Sequence, residues 1–484
     1  WNGTEMTTGL HTETATVEQR APAASGDSNF RIIALIVASS MLMEQLDATI
    51  LATALPAMAH DFGVGAPSMS IALTSYLLSL AIFIPASGKI ADRYGTRTVF
   101  RAAIAIFILG SILCAQAPSL PFLVAARLLQ GMGGAMMLPV GRLVLIRSVE
   151  RKNLISAMSW MLVPALMGPI LGPPVGGLFV TLLDWRWIFY INVPIGIIGM
   201  ILVSIHIREF KSPTREPFDF VGLVLSGVAL GALLFALENA SNTGGGRLAL
   251  ECLVLGVVFG IAAIVHSRRH PAPMLDFSLL RIESFGTSLI AGSITRITQG
   301  AHPYLLPLML QVGFGLSAVT AGNMVLATAL GALGMKAVAP RILRRFGFRS
   351  SLVVNGVCSA CGYAICGFFT PEWPHWLIFV ILFMSGFSMS FQFTAYNTVA
   401  YDKVDEKRMS SANSFYSTFQ QLMLSMGVCT AALTLHASMT VSGHSVPKPS
   451  DFSVAFFVVT AISLTATFWN LRFSKTAGEQ MRGK

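Results

Sequence analysis

The sequence predicts an all-α polytopic membrane protein, and two features of its composition support this class. Of the 484 residues, 54% are hydrophobic and 12% are charged, and this charged share is about half that of an ordinary soluble domain. Apolar runs of about twenty residues, the length of a helix that crosses a bilayer, recur along the whole chain. A chain of this kind is built from spanning helices joined by short polar loops.

Fourteen of these runs are long enough to be transmembrane helices, and their even number places both termini on one side of the membrane. Six precede a basic linker that begins at Arg208, two follow it, and six follow a second linker that begins at Ser267. The basic loop 344–349 corresponds in position to 92–97 of the first half, which indicates a duplicated transporter architecture. The predicted segments are 31–57, 69–91, 98–117, 119–148, 154–183, 187–207, 219–237, 247–266, 286–312, 318–340, 350–370, 374–399, 408–436 and 452–470.

The linkers divide the chain into five predicted units. The seventh and eighth helices have almost no polar residues in mid-membrane, so they are interpreted as an insertion between two six-helix bundles. The units are a disordered N-terminal tail (1–30, with 1–5 interpreted as an addition before Met6), an N-terminal six-helix bundle (31–207), linkers with two inserted helices (208–285), a C-terminal six-helix bundle (286–470) and a cytoplasmic tail (471–484).

Positive charge is distributed unevenly between the loops. With a cytoplasmic N-terminus, the outer loops hold only Arg186, Arg247 and Lys448, and the inner loops hold nearly all the other loop lysines and arginines. Because basic loops are retained on the cytoplasmic side, both termini are expected in the cytoplasm. The net charge of +10 is therefore a topology signal, and no nucleic-acid partner is expected.

No nucleotide-binding or catalytic pattern accompanies the helices. Gly88-Lys89 is followed by Ile90, whereas a phosphate-binding loop needs Ser or Thr there. Cys358 and Cys361 form a C-x-x-C pair, but inside a predicted helix, so all six cysteines are interpreted as small buried hydrophobes. An enzyme is therefore disfavoured, no metal or organic cofactor is expected, and the energy for transport would come from an ion gradient or a partner.

The first predicted helix carries two acidic residues, Glu44 and Asp47, near its middle. A charged side chain at that depth costs roughly 2.5 to 3.5 kcal/mol, so it needs a partner or a water-filled cavity and is a functional candidate. The two residues are three positions apart and therefore share one helix face.

The loop after the second helix, Gly88-Lys89-Ile90-Ala91-Asp92-Arg93-Tyr94-Gly95-Thr96-Arg97, has the most specific pattern in the chain. Gly95 suits a tight turn between helices, and Gly88 allows close helix approach. Asp92 is predicted to form a charged conformational latch with Arg93 and Arg97, with a basic loop that serves only topology as the alternative. The stretch resembles the loop 2–3 signature of the major facilitator superfamily, which implies a fold of two six-helix bundles.

Three further motifs resemble the fourteen-helix drug:proton antiporter branch of that superfamily, which includes EmrB- and MdtD-type exporters. The resemblance covers essentially residues 31–470 and implies a multi-pass protein of the bacterial cytoplasmic (inner) membrane that exports small molecules in exchange for protons. The motifs are Leu46-Asp47-Ala48-Thr49-Ile50 with Ala54-Leu55-Pro56 in the first helix, Arg127-Leu128-Leu129-Gln130-Gly131-Met132-Gly133-Gly134 in the fourth, and the 168–177 stretch in the fifth, with Trp185-Arg186-Trp187-Ile188-Phe189 and Asn192-Val193-Pro194 also fitting.

The resemblance ties the arginine of the fourth-helix motif, Arg127, to proton coupling. Asp47 and Arg127 lie about 15 Å and about 12 Å from the outer ends of their helices at 1.5 Å per residue. Their depths match, so a pair across a shared cavity is interpreted as the proton-coupling element, with a purely structural ion pair as the alternative. Glu44, one turn further inward, is left with three roles: proton carrier, partner of a cationic substrate, or part of the cavity wall.

The fifth helix combines regularly spaced glycines with several prolines. Glycines four residues apart form a groove on one helix face, and prolines bend the helix. This element is predicted to let one bundle rock on the other, with tight packing without motion as the alternative. Its residues are Pro164, Gly168, Pro169, Gly172, Pro173, Gly176 and Gly177.

Polar and aromatic residues elsewhere in the spans are candidates for a substrate cavity. Arg296 is the only charge near the middle of the later half, about 15 Å into its helix, and would bind an anionic group or pair with helix carbonyls. Arg142 and Lys336 are expected to reach the cytoplasmic interface. The other candidates, each with packing or an interhelical hydrogen bond as its alternative role, are Gln45, Tyr76, Gln130, Tyr190, Gln299, Gln392, Tyr396, Asn397, Phe415 and Gln420.

These features predict a monomeric, proton-coupled antiporter that exports drugs or other amphipathic small molecules from the cytoplasm or the inner leaflet by alternating access. Two alternatives stay open. One is an exporter of a single metabolite, such as a siderophore, a lipid or an amino-acid derivative. The other is a channel or a non-transporting membrane receptor. Whether periplasmic or outer-membrane efflux partners join the protein is also open.

Overall fold

The computed structural model describes residues 29–149, 154–211, 217–240, 246–405, 408–474 and 477, and every regular element in them is a helix. The predicted tails lie outside these residues, apart from a few positions next to the first and last helices. The helices are α1 (Asn29–Phe62), α2 (Ser70–Tyr94), α3 (Thr96–Ala115), α4 (Leu120–Ser148), α5 (Leu154–Leu182), α6 (Trp187–Tyr190), α7 (Asn192–His206), α8 (Phe220–Ala240), α9 (Gly246–Arg269), α10 (Glu283–Leu308), α11 (Ala318–Phe346), α12 (Phe348–Cys366), α13 (His375–Val399), α14 (Met409–Ser442) and α15 (Pro449–Asn470).

Each of the fourteen predicted segments corresponds to a long helix, with α6 and α7 together forming the sixth. Within the described residues, 11 spans are long and apolar enough to cross a membrane. In α5 the apolar stretch among the described residues is Met167–Leu182, which is shorter than a span. α10 and α12 do not meet the criterion, and α10 carries a set of buried polar residues that includes Thr295, Arg296 and Gln299. The prediction of an all-α polytopic membrane fold is confirmed.

Two helical bundles form the body of the protein. α1 packs on α5 and α4 on both α2 and α3, while in the other bundle α10 packs on α14, α11 on α13 and α12 on α15. The bundles meet through α2 with α14 and α5 with α11. The inserted helices α8 and α9 pack on each other, and α8 also contacts both α2 and α14. The insertion therefore lies against a line where the two bundles meet.

The bundles are joined mainly at one end, which we call the α1–α2 end because α1 finishes and α2 begins there. Among the described residues, three hydrogen bonds link the bundles, and all lie toward this end. The Tyr304 hydroxyl donates to the Pro67 carbonyl at 3.0 Å, the Gln311 amide to the Thr53 carbonyl at 3.0 Å, and the Ser425 hydroxyl to the Thr74 carbonyl at 3.3 Å. A hydrophobic cluster shared by both bundles surrounds these contacts. The passage between the bundles is therefore closed at the α1–α2 end.

Two turns at the opposite end, which we call the α2–α3 end, repeat the same backbone geometry. Gly95 joins α2 to α3 with φ +99°, and Gly347 joins α11 to α12 with φ +77°. Residues other than glycine rarely adopt such positive φ values. The two basic loops are therefore alike in backbone conformation, although Asp92 has no acidic counterpart in the second loop.

The inserted helices are held at the α2–α3 end by Asp219. Its carboxylate accepts hydrogen bonds from the backbone amides of Gly222 (2.8 Å) and Met274 (3.1 Å) and lies 2.7 Å from the His266 ring nitrogen. Burial alone would raise the pKa of Asp219, but these contacts outweigh it and lower the pKa below its ordinary value. One carboxylate thus fastens α8, α9 and the linker after them.

The prediction that all six cysteines are buried is wrong. Cys358 and Cys361 are exposed on the surface of α12, and Cys252 of α9 is only partly buried. Apolar sequence alone does not separate a lipid-facing side chain from a buried one, because both lie among hydrophobic neighbours.

Candidate functional site

A buried ion pair joins α1 to α4. An oxygen of the Asp47 carboxylate lies 2.6 Å from an Arg127 guanidinium nitrogen, and the two side chains are 1% and 0% exposed. The two predicted proton-coupling residues are therefore in direct contact in the interior of the N-terminal bundle. Asp47 does not face the lipid.

Neutral polar residues complete the environment of the Asp47 carboxylate. Gln130 and Asn192 donate to its second oxygen, at 2.8 Å and 3.0 Å. Gln130 also accepts from Arg127 at 2.6 Å and donates to the Ser111 hydroxyl at 2.8 Å. Four helices, α1, α3, α4 and α7, thus contribute to one network, and both carboxylate oxygens already accept hydrogen bonds.

Arg127 is held on its other sides by α2. Its Nε donates to the Ala72 carbonyl at 3.0 Å, and its guanidinium carbon lies 4.3 Å from the centre of the Tyr76 ring, a cation–π contact. Among the described residues, Arg127 Nη2 and the Tyr76 hydroxyl have no hydrogen-bond partner. Tyr76 and Gln130 were predicted as substrate-cavity residues, but here they are buried parts of the arginine's environment.

The other polar residues of α1 do not join this network. Glu44, 8% exposed, has no hydrogen-bond partner among the described side chains. It lies about one turn from Asp47 toward the α2–α3 end. Gln45 is exposed, and its Cβ lies beside Gly168 of α5. Glu44 is thus a second buried acid of α1 that Arg127 does not neutralise.

The glycine stripe of α5 packs against α1 of the same bundle. A Cβ at Gly168, Gly172 or Gly176 would lie less than 3.0 Å from atoms of α1. These three glycines therefore do not form the predicted contact between the bundles, and their packing agrees with the tight packing considered as the alternative. The stripe is close packing within one bundle, where small residues let two backbones approach.

The contact between the bundles is made by the neighbouring residues of α5. A Cβ at Gly177 would lie less than 3.0 Å from the Ala318 carbonyl of α11, and one at Gly322 equally close to the Pro173 carbonyl. Of the predicted α5 set, Pro173 and Gly177 therefore meet the C-terminal bundle. Pro164 and Pro169 lie within the same helix and are partly buried.

The loop after α2 differs from the predicted latch. Asp92 pairs with Arg147 at the end of α4 at 2.7 Å, and not with Arg93 or Arg97. Arg97 donates instead to the Ser204 carbonyl of α7 at 2.5 Å. The latch therefore holds helices of one bundle together.

Gly95 and Gly88 of the same loop differ in how closely other residues approach them. Glu209, in the linker after α7, accepts from the backbone amides of Arg97 and Thr98 at 3.1 Å and 3.2 Å. It satisfies the free N–H groups at the start of α3. A Cβ at Gly95 would collide with this carboxylate, whereas one at Gly88 would meet nothing within 4 Å. The predicted close approach at Gly88 is therefore wrong.

Arg296 in α10 forms a polar cluster in the C-terminal bundle. Its Nη2 donates to the side-chain oxygens of Asn397 and Gln420, each at 3.1 Å, and its Nη1 donates to the Tyr416 hydroxyl at 3.4 Å. One predicted role of Arg296 was to pair with helix carbonyls, but its partners here are side-chain amide oxygens and a tyrosine hydroxyl. Arg296, Asn397 and Gln420, all predicted cavity residues, are brought together.

The remaining predicted cavity residues are engaged in packing or interhelical hydrogen bonds, the alternative role considered for them. Gln299 donates to the Met389 carbonyl at 3.1 Å and Tyr396 to Asn470 at 2.7 Å. Gln392 accepts from Ser359 at 3.1 Å, Phe415 stacks on Phe419 with 4.7 Å between ring centres, and Tyr190 lies 5.8 Å from Trp187 by the same measure.

Four residues of these networks were absent from the predicted site: Ser111, Asn192, Arg147 and Glu209. Asn192 was quoted within a motif but given no role, although a single amide at the start of an apolar span is a signal that could have identified it. Ser111 carries no such signal, because serines are common in spanning helices.

Comparisons with known proteins agree with this architecture. The profile of the Major Facilitator Superfamily matches residues 37–428. Proteins named MdtD for multidrug resistance, from Citrobacter koseri and Escherichia coli, are each 38% identical, over 402 and 404 residues, or 83% of this chain and 85% of theirs.

Solved structures share the fold at low sequence identity. The POT family transporter PepTSo has a TM-score of 0.68 at 12% identity, covering 93% of this chain and 98% of its own. A D-xylose-proton symporter has a TM-score of 0.65 at 14% identity, covering 91% and 96%. With two packed bundles, a charged network inside the spans and these matches, the chain belongs to the Major Facilitator Superfamily of membrane transporters.

Proposed function

We propose that the protein is a proton-coupled antiporter that exports drugs or other amphipathic small molecules from the cytoplasm or the inner leaflet. The observation that carries this proposal is the fully buried Asp47–Arg127 pair, held by residues of four helices. A titratable acid inside the membrane, paired with a cation that can separate from it, is the arrangement a proton-driven cycle needs. The 38% identical relatives named for multidrug resistance support the drug class.

The cycle is alternating access between the two bundles. The basic loops favour cytoplasmic termini, and on this basis we assign the closed α1–α2 end to the outer side and this arrangement of the bundles to an inward-facing state. In the outward-facing state, a proton from outside binds Asp47 as the carboxylate separates from Arg127. Return to the inward-facing state re-forms the pair and releases the proton into the cytoplasm.

The available energy is sufficient for useful export. One charge that crosses 100 mV yields about 2.3 kcal/mol. A tenfold concentration ratio requires about 1.4 kcal/mol. One proton per neutral molecule therefore supports a gradient of roughly 50-fold.

The test is flux in proteoliposomes under an imposed pH gradient, with a panel of dyes and metabolites. Saturable movement of several unrelated amphipathic compounds that reverses with the gradient is the expected result. Movement of one compound only would indicate a dedicated metabolite exporter, and flux independent of the pH gradient would contradict proton coupling.

Gly177→Ala is expected to weaken closure of the α1–α2 end, because the new methyl would meet the Ala318 carbonyl. Overpacking of this kind costs about 1–3 kcal/mol, which corresponds to a roughly 5- to 150-fold shift toward the outward-facing state. The opening can be measured with spin labels at Ser68→Cys and Ser317→Cys, two exposed positions at that end. Double electron–electron resonance gives the distance between the two labels.

The spin-labelled background needs Cys358 and Cys361 replaced by serine, since both are exposed. Gly88→Ala, where a Cβ meets nothing within 4 Å, is the matched control. Identical distance distributions in the Gly177→Ala protein and this control would show that the contact does not govern closure.

A further inference from the structure

Arg296 is a buried charge without a counter-ion. It is 3% exposed, and among the described residues no carboxylate forms an ion pair with it. Arg127 in the other bundle is neutralised by Asp47. An isolated buried charge is costly, so the presence of Arg296 inside the C-terminal bundle requires an explanation.

The partners that Arg296 does have are neutral. They are the side-chain oxygens of Asn397 and Gln420 and the Tyr416 hydroxyl. The Tyr416 and Phe393 rings lie 4.9 Å and 5.4 Å from the guanidinium carbon. Arg296 Nε has no partner among the described residues. The cluster thus keeps a full positive charge and an unused donor.

The cluster lies on the side of α10 that is turned toward the N-terminal bundle. Tyr304 and Gln311, which follow Arg296 by eight and fifteen positions, both donate to carbonyls of that bundle. Tyr304 lies about two turns beyond Arg296 and about 80° from it around α10, so the two side chains share one half of that helix, whereas Gln311 lies in the segment Met309–Gly313 that follows α10. Arg296 is deeper, toward the α2–α3 end, where no hydrogen bond joins the bundles within the described part of the chain. Asn397, Gln420 and Phe393 around it are only partly buried or exposed.

We propose that Arg296, positioned by Asn397 and Gln420, binds a carboxylate group of the transported compound. A guanidinium presents donors in a planar fork that matches a carboxylate, and the amide side chains can turn to release it. The inference rests on the proposed export function for its physiological meaning, but the binding itself requires no gradient. The preferred substrates would be amphipathic molecules with an acidic group rather than simple lipophilic cations.

Two dyes that differ by one methyl group test this directly. Rhodamine 110 has a free carboxylate, and rhodamine 123 is its methyl ester. Fluorescence anisotropy with the purified protein in lipid nanodiscs measures both dissociation constants at equilibrium. We expect rhodamine 110 to bind at least tenfold more tightly than rhodamine 123, and Arg296→Gln to remove this preference.

Two further variants separate binding from structure. Arg296→Lys keeps the charge but loses the fork, so the preference should fall without disappearing. Arg247→Gln, at an exposed position of α9, should leave it unchanged. A melting temperature of Arg296→Gln at or above that of the parent is expected, because the substitution removes an unneutralised charge.

Equal binding of the two dyes, no binding of rhodamine 110, or a preference that survives Arg296→Gln would overturn the inference. Carboxylate-dependent binding without proton-driven flux would contradict the proposed antiport function and leave this inference standing.

Discussion

Asp47→Asn is expected to abolish uphill export while the protein still folds. The amide keeps an oxygen that can accept from Arg127, whose guanidinium also donates to Gln130. The amide that replaces the Asp47 carboxylate has no titratable proton to exchange, so the coupling step is lost. In proteoliposomes under a pH gradient, the accumulation ratio should fall from a ceiling of roughly 50-fold to one, while downhill movement of the compound continues.

Asp184→Asn is the matched control, since Asp184 forms a surface pair with Arg186 and is 48% exposed. Glu44→Gln, measured alongside, separates the two acids of α1. Uphill export that persists in Asp47→Asn but disappears in Glu44→Gln would move the proton site to Glu44. Uphill export that is unchanged in both would remove α1 from proton coupling.

Arg127→Ala is expected to lose both export and stability. Removing one partner of a buried ion pair leaves the other charge uncompensated, at a cost of about 3–5 kcal/mol. Here that charge is Asp47, which is 1% exposed. The variant should melt at a lower temperature and show no accumulation of the compound in the flux assay.

The double variant Asp47→Asn/Arg127→Gln distinguishes folding from function. With both charges removed, stability should return toward that of the parent protein, while uphill export stays absent. Arg186→Gln, which breaks partly exposed pairs with Asp61 and Asp184, should change stability by only about 0–1 kcal/mol. A double variant that exports normally would mean that the pair is structural only.

The helices could be predicted almost completely from the chain. A bilayer fixes the length of an apolar segment and excludes unpaired backbone groups, so each run of about twenty apolar residues becomes a helix. The segment of α10 was predicted as a span although Arg296, Gln299 and other polar residues leave it less apolar than the helices that meet the criterion for a membrane span.

The contact between Asp47 and Arg127 could be predicted from the sequence, but most of the residues around it could not. Matching depths along α1 and α4 follow from the rise per residue. Depth does not give rotation about the helix axis, so Gln130 was assigned to a cavity although it faces Asp47. The glycines of α5 were recognised as a packing stripe, but spacing cannot name the partner, which is α1.

By itself the sequence determined the number and order of the spanning helices, the two half-repeats and the charged residues buried within them, because these follow from the cost of polar groups in a bilayer. Tertiary structure alone decided which charges are neutralised. Asp47 and Arg127 are 80 residues apart and meet only because α1 and α4 pack together, while Arg296 is left without an acid among the described residues. An ion pair needs atoms within about 4 Å, and only the packing of complete helices brings distant residues that close.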